Sequence, residues 1–160
     1  MISEIRLEYH TFHDIKTTFN HSGKMKYFGF IKEHDDFPIS ESIHDLISGY
    51  THIDGNKDKV LEYLQKGSMV IPLMGCVENA KDPLFETDHY NDKSFVAYYT
   101  IYTDGIWLWP QYIIEYIKKY PNIKLNPEFV KQVLSNKETI QMTEEEALKI
   151  EKDFFQEFWK

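Results

Sequence analysis

Cysteine and arginine are nearly absent from this chain of 160 residues, in which Cys76 and Arg6 stand alone. A single cysteine forms no internal disulfide and builds no multi-cysteine zinc site, and it fits a reducing compartment. With one arginine the chain has few of the planar forks that grip carboxylates or phosphates by two contacts, which weakens a nucleotide-enzyme reading. Long apolar runs are missing too. The longest, around Met69–Met74 and Phe95–Ile101, fall well short of the roughly 18–20 residues that a bilayer-crossing helix needs, so no membrane span is expected. Glutamates stand near the N-terminus where an export signal would carry positive charge and then an apolar stretch, so a cytoplasmic protein is expected. There is no glycine-rich phosphate loop, no G-x-S-x-G elbow and no H-E-x-x-H helix. No catalytic residue and no cofactor is therefore assigned.

Acidic residues, by contrast, are in excess. Eighteen Lys and Arg against 26 Asp and Glu leave a net charge of −8. Such a chain repels phosphate backbones and is drawn to basic surfaces, so nucleic acid is an unfavourable ligand and a basic protein a favourable one. Hydrophobic residues at 42% and aromatics at 16% suffice for one sizeable core. With no internal repeat, low-complexity tract or Gly/Ser-rich linker, one domain spanning residues 1–160 is expected.

The hydrophobic periodicity places the elements. Ile5, Leu7 and Tyr9 alternate with polar residues as in a half-buried strand, whereas Phe12 to Phe19 fits helix and strand about equally. The aromatic run Met25–Ile31 suits a strand. After a loop at His34–Pro38, Ser40 is placed to cap a helix carrying Ile43, Leu46, Ile47 and Tyr50 on one face and ending at Gly49. A turn at Asp54, Gly55 and Asn56 leads to a helix with Val60, Leu61 and Leu64 inward, stopped by Gly67. In the following strand, Ser68 to Val77, Pro72 removes a ladder donor and marks an edge or a bulge. Residues 78–93 are polar and without period, and read as a long exposed loop.

The sharpest local signal is the hairpin at 95–109. Asp104-Gly105 predicts a two-residue turn, which sets Tyr102 opposite Trp107 and Thr100 opposite Trp109. Pro110 then reads as the first residue of a helix with Ile113, Tyr116, Ile117 and Tyr120 on one face. Asn126-Pro127 opens another, with Phe129, Val130, Val133 and Leu134 inward. Thr143 and Glu146 form a capping box ahead of a last helix with a wide apolar face, from Ala147, Leu148 and Ile150 to Phe154, Phe155, Phe158 and Trp159. The expected fold is α+β, an antiparallel sheet containing the 95–109 hairpin and packed against several helices.

Candidate chemistry is sparse. The pairs His13-Asp14, His34-Asp35 and His44-Asp45 resemble metal-hydrolase dipeptides but share no companion pattern, and they read as chance pairings. Asp82, Glu86, Asp88, His89 and Asp92 lack the alternation and turn glycine of a calcium loop. No metal is assigned. The same acidity suits a basic partner, and Asp82, Glu86, Asp88 and Asp92 are the expected partner-binding residues. Cys76 follows an apolar run and reads as a small core filler. Trp107 and Trp109 face one way and could stack a sugar or base, with core packing the favoured reading.

Between Leu64 and Val133, one set of residues carries a resemblance. Leu64 with Gly67, Thr103-Asp104-Gly105 with Trp107 and Trp109-Pro110, Ile113 with Tyr116 and Tyr120, and Leu125 with Glu128-Phe129 resemble a loose group of small bacterial proteins, some of them like immunity proteins. The group supplies no catalytic residue, and residues before about Gly55 have no counterpart in it. The resemblance implies a non-enzymatic binding protein that neutralises a toxin domain. Two other classes stay open: a metal-dependent hydrolase using histidines with Asp35, Asp36 or Asp88, and an assembly module self-associating through Trp107 or the Phe154–Trp159 stripe.

Overall fold

The computed structural model describes residues 23–48, 56–78, 95–120, 122–135 and 142–159. Its architecture is α+β. In chain order the elements are β1 (Lys26–Tyr27), α1 (Ile43–Ser48), α2 (Lys57–Gln65), β2 (Ser68–Glu78), β3 (Phe95–Thr103), β4 (Trp107–Pro110), α3 (Tyr112–Lys119), α4 (Pro127–Ser135) and α5 (Glu144–Phe158). The sheet order is β1-β4-β3-β2. β2, β3 and β4 run antiparallel, while β1 joins β4 in parallel, so the sheet is mixed. The predicted strand over Met25–Ile31 shrinks to two residues because Gly29, at φ 76°, bends the chain away from β4.

Both faces of the sheet are covered. On one side Trp107 and Trp109 join Val60, Leu64, Tyr112, Tyr116 and Phe129 in a cluster supplied largely by α2, α3 and α4. On the other, Ile71, Ile101 and Leu108 meet Ile150 and Phe154 of α5. At a typical 1.5–3 kcal/mol for each large apolar side chain removed from water, these two clusters supply the main driving force of the fold.

The helices start and stop for identifiable reasons. Thr143 caps α5 with a complete capping box, its hydroxyl accepting from the Glu146 amide while the Glu146 carboxylate accepts from its own. α1 begins at Ile43 and not at Ser40, because Glu33 captures its first groups: the Ile43 amide and the Ser42 hydroxyl both donate to that carboxylate. Gly67 follows α2 at ordinary φ, and its lack of a side chain makes room for the Trp109 ring, against which a β-carbon would collide. Pro110 is the last residue of β4, paired with Ile101, and α3 starts two residues later. In α4, Phe129 and Val133 are buried, but Leu134 points outward and is exposed, contrary to its expected inward role.

Candidate functional site

The turn joining β3 to β4 is built around one carboxylate. Asp104 is buried, and its Oδ1 accepts from the amides of Ile106 and Trp107 at 2.9 and 2.7 Å. Its Oδ2 accepts from the Tyr63 hydroxyl of α2 and from Gln132 Nε2 of α4 at 3.2 Å. Gln132 in turn accepts from Trp107 Nε1. Thr103 Oγ1 accepts from the Gly105 amide and donates to the Trp107 carbonyl, while Gly105 takes φ 93°. These bonds hold a longer loop than the predicted two-residue turn, so the register moves to Tyr102 opposite Trp109 and Thr103 opposite Leu108. Because the displacement is an even number of residues, the tryptophans keep their face. Trp107 and Trp109 are both buried, which places them in the core and gives neither ring an open stacking surface. Asp104, Gly105, Trp107, Trp109 and Pro110 are thus framework residues.

A second buried polar group lies between the 31–37 turn and α3. The Tyr112 hydroxyl donates to Asp35 Oδ2 at 2.8 Å and accepts from the Ile31 amide at 2.9 Å. His34 Nε2 lies 2.6 Å from the Tyr116 hydroxyl. Burial pushes the Asp35 carboxyl up to about 6, against which the Tyr112 hydrogen bond acts only in part. Burial also lowers His34, offset partly by Glu33. Shifted groups of this sort occur at active sites, yet here each side chain is directed at a tyrosine. No three His, Cys, Asp or Glu side chains converge as a ligand set among the described residues. His34-Asp35 anchors the turn to α3, and His44-Asp45 lies on α1. His13-Asp14 lies outside the described residues.

The exposed apolar groups gather elsewhere, on the β2–β3 hairpin. β2 is an edge strand, and between the pairs Pro72↔Thr100 and Cys76↔Tyr98 its residues Leu73, Met74 and Gly75 stand opposite Tyr99 alone. This bulge throws Met74 completely into solvent, at 102% of its reference exposure. Beyond it, Val77 and Ala97 are paired and buried on the helix side, while the preceding pair, Cys76 and Tyr98, is exposed. Cys76 is therefore a surface thiol and not the expected core filler, because the bulge and the two-residue period direct it away from the α2–α4 cluster in which Val77 is buried. Tyr98, 67% exposed, meets the half-exposed Phe95 edge to face at 5.3 Å.

Glu78 and Phe95 are paired across the base of the segment that holds Asp82, Glu86, Asp88 and Asp92. Those four acidic residues, with His89, lie outside the described residues. The bulge, invisible to periodicity, exposes Met74, and Phe95 and Tyr98 stand exposed on β3. Among the described residues no helix is long and apolar enough to cross a membrane. No protein-family model, no curated protein and no solved structure matches this chain significantly.

Proposed function

We propose that this chain is a non-enzymatic, acidic protein-binding module that neutralises a basic partner by covering it, as an immunity protein covers a bacterial toxin domain. The observation that carries this reading is the uncovered Met74, Phe95 and Tyr98 surface on the hairpin that leads into and out of the acidic segment. Exposed aromatic and methionine side chains with acidic neighbours combine an apolar anchor with electrostatic steering. Pro72 and the bulge obstruct strand addition along β2, which favours docking through side chains over extension of the sheet. The net charge of −8 would accelerate encounter with a cationic protein and make it sensitive to salt.

The test is co-expression of the tagged chain with the product of the neighbouring open reading frame, followed by capture at low and high salt. A one-to-one basic partner, released by salt and by Tyr98→Ala or joint neutralisation of Asp82, Glu86, Asp88 and Asp92, supports the proposal. Capture that ignores both salt and these substitutions refutes it.

A further inference from the structure

The outer face of α5 carries a second apolar surface, remote in sequence from the hairpin. Ile150 and Phe154 turn inward to the sheet, whereas Leu148 and Trp159 are each 58% exposed. Together with Glu151, Lys152, Phe155 and Gln156 they line an open groove of about 600 Å³. These residues recur at three- and four-residue steps, so they form one stripe along the helix. The Phe155 and Trp159 rings pack edge to face at 5.5 Å, and Trp159 also approaches Phe37 at 6.2 Å, which holds the C-terminal end of the stripe in place.

The stripe is complementary to itself. If it is laid antiparallel on a copy of itself about an axis between positions 153 and 154, Leu148 falls opposite Trp159, Glu151 opposite Gln156, and Lys152 opposite Phe155. Apolar groups then meet apolar groups at both ends. In the middle each Lys152 lies over a ring of the other copy and within a helical turn of its Glu151, so the one cation and the one anion of the stripe are matched twice.

We propose that α5 pairs through this face with α5 of a second copy, forming a two-fold homodimer. The inference is independent of the basic-partner reading, and salt separates the two. Two chains of net charge −8 repel one another, so screening strengthens an apolar self-association while it weakens capture of a cationic partner. One helix pair buries a small area by the standard of stable dimers, so the dimer is a weak one, with a Kd on the order of micromolar or higher.

The experiment is sedimentation of the full chain across two decades of concentration at low and high salt, with tryptophan emission recorded in parallel. Trp107 and Trp109 are buried already, so a concentration-dependent emission shift reports Trp159. The expected result is a monomer–dimer equilibrium favoured by salt, weakened at least about tenfold by Leu148→Glu or Trp159→Glu. Lys152→Glu should also weaken it, and adding Glu151→Lys should restore it. All these positions are at the surface, and circular dichroism verifies that the variants keep their fold. A chain that stays monomeric throughout, or a dimer lost through Tyr98→Ala and untouched by the α5 substitutions, overturns the proposal.

Discussion

Asp35→Asn should make this protein more stable at alkaline pH and about 1–2 kcal/mol less stable in acid, where the wild-type carboxyl is already neutral. The Asp35 carboxyl is 5% exposed, accepts one hydroxyl from Tyr112, and makes no ion pair among the described residues. Burial raises it from an ordinary 3.8 to about 6. The contribution of a group raised in this way is fully present below pH 3.8 and is lost as pH climbs through about 6. At ~1.4 kcal/mol per pH unit, keeping the group ionised at pH 8 costs about 3 kcal/mol. Asparagine has the same shape, still accepts from Tyr112 and never ionises, but its amide brings two donors that need partners. A net gain of about 1–2 kcal/mol remains. Urea unfolding of both proteins between pH 4 and pH 8 measures it. His34, lowered by burial, acts in the opposite sense: its contribution is present above its ordinary 6.5 and falls away in acid. It is common to both proteins and largely cancels from the difference. A stability difference that does not vary with pH, or a variant weaker at pH 8, would refute the assignment of Asp35 as a strained buried charge.

Three further outcomes follow from the packing. Asp104→Ala strips an acceptor from the Ile106 and Trp107 amides, Tyr63 and Gln132 together, and should cost at least about 3 kcal/mol in denaturant unfolding; a loss below 1 kcal/mol would mean that water replaces the carboxylate. Thr143→Ala removes half of the capping box of α5 and should lower stability by about 1 kcal/mol, with Thr143→Ser recovering most of it. Cys76 should react with a thiol reagent in the native protein about as fast as in a short peptide; strong protection would contradict its exposed position.

Elements driven by local signals could be read from the residues themselves. The capping box at Thr143, the wide apolar face of α5 and the antiparallel pairing of β3 with β4 all follow from neighbours in sequence. What escaped depends on contacts between distant segments. The turn register was hidden because Tyr63 and Gln132, from two helices, help fix Asp104 in a longer loop. The pairing of His34-Asp35 with Tyr116 and Tyr112 joins groups some eighty positions apart, with no spacing rule to announce it. Exposure of Cys76 and Met74 required the three-against-one bulge in β2, which no alternation pattern encodes. At the candidate site, the acidic character of the segment was evident from composition, whereas the apolar and aromatic part of the surface became visible only in three dimensions.

The carboxylate of Asp104 has a consequence for how the molecule opens. It ties α2, the β3–β4 turn and α4 at a single atom, across separations of 41 and 28 residues. Opening any one of the three takes a partner from this buried carboxylate, so their amides should exchange with solvent at similar rates, as a cooperative unit. α5 makes no bond to that carboxylate among the described residues and is held by the apolar cluster on the other face of the sheet, so its amides should exchange as a separate unit.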